Sequence, residues 1–239
     1  MDKRYFKGNM VILALMLLFD ILYMFNGKLL FKGYASILFL VAGVVNFTYC
    51  IENKASLNYP KWMVGALLCS MIADIVLNLN FYLGVVIFAL AHVFYFISYS
   101  RLHKMNRRDF VCGAMIFLFT LAIINFTPFL NFGSSFMKGI CSVYALIISL
   151  MVGKAISNAI EENTITNKMI AIGSILFLIS DMMLMLNKFG NVPGTSYLCL
   201  GTYYPAQFIL AFSMFKFAKE EHKVKTLAYN INSKLSKIS

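Results

Sequence analysis

Charged side chains are scarce in this chain. Only 13% of its 239 residues are Asp, Glu, Lys or Arg, three are His and one is Trp, while 60% are hydrophobic. Water-soluble domains carry about twice that share of charge, so a soluble enzyme or binding module is excluded. The common signatures of hydrolytic chemistry are missing too: there is no Gly-x-Ser-x-Gly elbow, no His-Glu-x-x-His and no Walker loop. With His103 and His222 outside the apolar runs, too few ligands remain for a His-rich zinc site, which argues against a serine or metal lipase. Cys50, Cys69, Cys112, Cys141 and Cys199 lie at irregular spacings on different apolar segments. That suits reduced, buried thiols and not a disulfide framework. No small-residue cleavage site follows the opening Met1-Asp2-Lys3-Arg4, so the first apolar run reads as a retained span and not a removed signal peptide. The net charge of +11 is distributed between apolar runs with no folded basic domain, which speaks against nucleic acid as a partner.

What is present is a series of apolar runs long enough to cross a bilayer, which takes about 20 residues each. Eight are found: Gly8–Phe25, Gly33–Cys50, Lys61–Asn80, Leu83–Ser100, Phe110–Phe129, Phe136–Ala155, Met169–Asn187 and Tyr197–Phe217. Backbone groups must be paired in lipid, and the runs lack the period-two alternation of a barrel, so they are helices. The fold class is an all-α membrane bundle over residues 1–217, followed by a basic tail over 218–239. Of the 21 Lys and Arg, only Lys28, Lys32, Lys138 and Lys188 fall in or at the edge of the connections opposite the termini. The positive-inside rule therefore puts both termini in the cytoplasm. Lys219, Lys223, Lys225, Lys234 and Lys237 in the tail read as a solvated topology signal before an anionic-leaflet anchor.

Acids inside the spans are the candidate functional groups, because a carboxyl in hydrocarbon costs several kcal/mol unless it is used or paired. Asp74 and Asp181 are matched. Asp74 lies thirteen residues after Lys61 and Asp181 thirteen after Lys168, about 20 Å along each helix. In the following helices His92 precedes Arg101, and Gln207 precedes Lys216, by nine residues, which gives both a depth of about 13 Å from the same boundary. Ala73-Asp74-Ile-Val-Leu77-Asn78-Leu79-Asn80 resembles Ser180-Asp181-Met-Met-Leu184-Met185-Leu186-Asn187. Four spans apart, the copies run in the same direction, as in parallel repeats. The expectation is a four-helix repeat whose third, fourth, seventh and eighth helices surround one cavity with an acid on either side. Ser70, Asp74 and Asn78 share a helix face, as do Tyr203 and Gln207, and both faces should line that cavity. Asp20 is a third intramembrane acid, ranked lower because nothing in the repeat mirrors it.

At these positions the chain resembles the YhhN-like lysoplasmalogenases, integral membrane hydrolases of eight predicted spans. The resemblance rests on Asp74 followed by Leu77, on His92-Val-Phe-Tyr95, on Ser180-Asp181 and on Tyr203-Tyr204-Pro-Ala-Gln207. It runs from about Lys61 onward; the first two helices match in hydrophobic character only. One departure is Ala73, where the family usually has Gly before the first acid; a small residue is kept, as close helix packing requires. The resemblance implies cleavage of the vinyl ether bond of a lysophospholipid, releasing a fatty aldehyde and a glycerophospho-alcohol, with no metal or cofactor required.

That chemistry suits the residues. Protonation of the alkenyl β-carbon creates an oxocarbenium ion, water adds to it, and the hemiacetal collapses. Two carboxyls divide such work in glycoside hydrolysis, which passes through a similar cation. Asp74 and Asp181 are the expected pair, with acid and base not assigned between them. His92 and Tyr95 are candidates to bind the phosphate or glycerol hydroxyls, Tyr203 to orient water, and Ser70, Asn78, Tyr204 and Gln207 to line the substrate site. Plainer readings compete: packing pairs for the acids, an interhelical hydrogen bond for His92, and aromatic packing or interface anchoring for the tyrosines. A proton- or ion-coupled transporter would use the same midmembrane acids, although no span is broken by paired Gly and Pro and only Pro205 should kink the eighth helix. A non-catalytic lipid-binding scaffold would need the cavity alone.

Overall fold

The computed structural model describes residues 2–235; Lys237, and the side chain of Lys234, lie outside the described residues. The described chain forms eight helices: α1 (Asp2–Asn26), α2 (Leu29–Glu52), α3 (Asn58–Leu79), α4 (Phe81–Ser100), α5 (Arg107–Phe126), α6 (Ser135–Glu161), α7 (Ile165–Gly190) and α8 (Thr195–Leu235). All eight are long and apolar enough to cross a membrane, and large apolar side chains such as Val11, Leu18, Val86, Met115, Leu118 and Ile172 point outward. In water such a surface would be costly; in lipid it is the solvated face. The chain is a multi-pass integral membrane protein.

The helix ends follow local chemistry. Gly27, at φ +65°, turns the chain tightly after α1, so α2 begins at Leu29, four residues earlier than the hydropathy suggests. Thr127 precedes Pro128, which disfavours further α conformation, and α5 ends at Phe126. Asn191, left-handed at φ 49°, closes α7, consistent with the tolerance of Asn for that region. The segment read as a tail continues α8 as helix to Leu235.

Six helices close a ring in the order α2, α3, α4, α6, α7, α8. Outside it, α1 leans on α2 and α8, and α5 on α6. The two halves share most of their helix pairs, the contacts of α1 and α3 with α8 being the exceptions. Contacts α1–α2, α2–α3 and α3–α4 correspond to α5–α6, α6–α7 and α7–α8, and α2 meets α8 as α6 meets α4. The ring is therefore wider than the four helices expected around the cavity, because α2 and α6 are inserted between the two matched pairs.

Polar ties close the end of the ring that carries the termini. Asn9 and Asn46 exchange hydrogen bonds of 2.9 Å, and Asn46 also donates to the Ala211 carbonyl at 3.0 Å. Asn158 Nδ2 donates to the Tyr99 carbonyl at 3.0 Å, and the Tyr99 and Ser174 hydroxyls lie 2.9 Å apart. Lys154, fully buried, binds Asp109 at 2.8 Å and the Lys104 carbonyl at 3.0 Å, tying α6 to the start of α5. Small residues permit these close approaches: a Cβ on Gly153 would run into the backbone of Gly113. Gly153→Ala should therefore lower stability by about 1–3 kcal/mol, whereas Gly139→Ala, with nothing within 4 Å of the added carbon, should not. Thermal unfolding of the two variants in detergent checks the contrast.

Candidate active site

Asp74 is held from α2. Lys32 and Ser36, one helical turn apart, present the same face to α3. Ser36 Oγ lies 2.7 Å from Asp74 Oδ2 and 3.0 Å from the Lys32 carbonyl, and Lys32 Nζ is 3.6 Å from Asp74 Oδ1. Behind them the Tyr204 hydroxyl donates to the Lys32 carbonyl at 3.2 Å and lies 3.3 Å from Ser36 Oγ. The acid thus has a cation and a hydroxyl as first partners, both from a helix the sequence left outside the site.

Asp181 has different partners. Tyr144, from α6, donates to its Oδ2 at 2.6 Å. His92 Nε2, from α4, sits 3.2 Å from the same oxygen and 2.8 Å from the Tyr144 hydroxyl. The imidazole is edge-on to Phe177 and Tyr144, at centroid distances of 4.7 and 5.3 Å, and its Nδ1 is buried with no partner. These rings fill the space between α4 and α7. His92 therefore backs Asp181 and is not among the walls of either cavity described below.

Both carboxyls line one cavity of about 250 Å³, with Asn78, Tyr203, Ser180, Cys199, Lys32 and Lys188 among its walls. Its polar rim, Lys32, Asn187, Lys188 and Ser196, belongs to the ends of α2, α7 and α8 farthest from the chain termini. Tyr203 has its hydroxyl buried without a partner at hydrogen-bond distance, beside Asp74. A second, apolar groove adjoins the first and shares Asp181, Leu77, Phe81, Phe88 and Leu184 with it. It continues over Thr120, Ile124, Tyr144, Ala145 and Ile148 of α5 and α6.

The remaining expected residues lie elsewhere. Ser70, Tyr95 and Gln207 are fully buried and do not line the cavity; Ser70 and Gln207 lie about one turn deeper than Asp74 and Tyr203, and Tyr95 about two turns deeper than Phe88. Tyr95 donates to Gln207 Oε1 at 2.6 Å, while Ser70 Oγ and Gln207 Nε2 have no partner. Tyr95 and His92 are thus hydrogen-bonded in the interior and line neither cavity. Asp20 is buried, with Oδ1 unpartnered, near enough to feel the charge of Asp74, but it is not a wall of either cavity. Lys32 and Lys188 read from sequence as topology charges only, and Ser36 and Tyr144 by themselves carry no mark of a site. The one available signal was the four-residue spacing of Lys32 and Ser36.

A family model describing the YhhN family matches residues 27–214. This chain belongs to the YhhN family. No curated protein and no solved structure matches it. The YhhN match begins before α2, so the helix that supplies Lys32 and Ser36 lies within it, earlier than the resemblance from Lys61 onward suggested. Asp20 lies outside the matched residues, as does all of α1, whereas every group in contact with Asp74 or Asp181 falls inside them.

Proposed function

We propose that this YhhN protein is a membrane-embedded lysoplasmalogenase that hydrolyses the vinyl ether of alkenyl-glycerophosphoethanolamine or -choline by paired-Asp acid–base catalysis. The observation that carries the reading is that two intramembrane carboxyls with unlike partners line one cavity, beside an apolar groove suited to one hydrocarbon chain.

The unlike partners divide the roles. Asp74, with Lys32 as countercharge, is the anion. Asp181, whose Oδ2 is held by Tyr144 and His92, carries its proton on the other oxygen and delivers it to the alkenyl β-carbon. The Asp74 carboxylate faces the oxocarbenium ion and takes a proton from the water that adds to it. In the collapse, Asp181 recovers a proton from the hemiacetal hydroxyl and Asp74 protonates the departing glycerol oxygen, so both return to their starting states. General acid–base catalysis of this kind is worth about 10²–10⁴-fold in rate.

By the positive-inside rule both termini are cytoplasmic, which directs the cavity mouth to the opposite leaflet. The apolar groove admits the alkenyl chain sideways from the bilayer. Ala145 lines that groove, so Ala145→Leu should raise KM for a long-chain substrate about tenfold more than for a short-chain one, the scale on which added methylenes are discriminated. Steady-state kinetics with an eight-carbon and a sixteen-carbon alkenyl lipid check this. Release of fatty aldehyde from lysoplasmenylethanolamine by purified protein in detergent tests the function itself; a folded protein that releases none from ethanolamine or choline substrate overturns it.

A further inference from the structure

We propose that the mouth of the polar cavity is an anion site for a phosphate ester, formed by Lys32, Lys188 and the first turn of α8. For the identity of the lipid that carries the phosphate, this rests on the reading above.

Three independent features converge there. Lys32 is only 7% exposed, and its ion pair with Asp74 spans 3.6 Å. An ammonium has three donors, and one long contact leaves donors free on a group that lines the cavity. Lys188 is the second cationic wall; its Nζ rests 5.0 Å from the centroid of Phe81, itself a lining residue. Ser196 lines the same cavity in the first turn of α8, a helix of 41 residues. A helix N-terminus of that length presents unpaired N–H groups and a partial positive charge, which together favour a phosphate.

Charge balance gives the same sign. The charged walls of the cavity are Lys32, Lys188, Asp74 and Asp181. The chemistry proposed above keeps one of the two acids protonated, which leaves one positive charge uncompensated. A phosphodiester supplies one negative charge. The ester end of the lipid then sits at the mouth, and the vinyl ether, one glycerol away, reaches the two acids. The headgroup function assigned from sequence to His92 and Tyr95 passes to these two lysines.

The test is equilibrium binding of two non-hydrolysable ether lipids, 1-alkyl-glycerophosphoethanolamine and 1-alkylglycerol, to the purified full-length protein in detergent. Neither contains a vinyl ether, so the outcome is separate from turnover: a protein that releases no aldehyde but discriminates these ligands loses the hydrolase reading and keeps the anion site. The parent should bind the phosphate-bearing lipid at least about tenfold more tightly, the scale of one charge-assisted hydrogen bond. Lys188→Met, at an exposed position, should reduce that preference to below about threefold, and Lys188→Arg should keep it. Equal affinity of the parent for both lipids, or a preference that survives Lys188→Met intact, overturns the proposal. Displacement of the phospholipid by millimolar inorganic phosphate as effective as that by glycerophosphoethanolamine would identify a free-phosphate site and overturn the headgroup assignment.

Discussion

Asp74→Asn and Asp181→Asn should each lower aldehyde release from lysoplasmenylethanolamine by about 10²–10⁴-fold, and the double variant should be little worse than either single one. The reason is the division of labour: without the donor no oxocarbenium ion forms, and without the anion the ion is neither stabilised nor supplied with activated water. Groups that act in one sequence of proton transfers are non-additive when removed together. Lysolipid binding should persist in both variants, because Asn keeps the shape of the cavity. Turnover and binding measured on the same folded preparations check the prediction; loss of binding in parallel with turnover would assign the acids to packing, and full turnover in either variant would remove that acid from the mechanism.

The second large effect is on stability. Lys32→Met should destabilise the protein by about 3–5 kcal/mol, because it leaves the buried Asp74 carboxylate without its cation. Lys32 and Asp74 are 7% and 3% exposed, so water does little to screen the loss. Adding Asp74→Asn to Lys32→Met should restore most of the stability, since removal of both charges leaves no uncompensated ion. The chemistry should stay absent in the restored variant. Unfolding in detergent of the two single variants and the double variant gives the coupling directly; additive losses would show that Lys32 and Asp74 do not act as an ion pair.

Much of the fold was legible because lipid imposes a simple rule. Runs of about 20 apolar residues must be helices, and all eight runs are found as α1 to α8, with most ends shifted by a few residues and the end of α8 carried on to Leu235 through the segment read as a tail. The two acids stood out for the same reason, as carboxyls where hydrocarbon was expected. Their partners did not stand out. Lys32 read as a loop charge because hydropathy starts the second span at Gly33; only the tight turn at Gly27 brings it into α2 and against Asp74. Ser36 and Tyr144 are ordinary residues for a membrane helix, and nothing short of the ring order places α2 beside Asp74 or α6 beside Asp181. His92 was legible as a polar residue inside a span but not in its role, which depends on the crossing of α4, α6 and α7. Tyr95 and Gln207 share faces with cavity residues, but a face shared along a helix extends below the cavity floor, and they lie in that lower part. Consecutive helices pair in both halves, and α2 meets α8 as α6 meets α4, but the contacts of α1 and α3 with α8 have no counterpart on α4, so the packing follows the expected repeat only in part.

The central claim is protonation of carbon by a carboxyl in this cavity, and one measurement addresses it directly. Purified protein is given lysoplasmenylethanolamine in deuterium oxide, and the released fatty aldehyde is analysed by mass spectrometry after reduction to the alcohol. Transfer of a solvent-derived deuteron to the alkenyl β-carbon predicts one deuterium at carbon 2 of the product, absent when the reaction is run in ordinary water. Aldehyde without deuterium at that carbon, or no aldehyde from folded protein, would contradict the account.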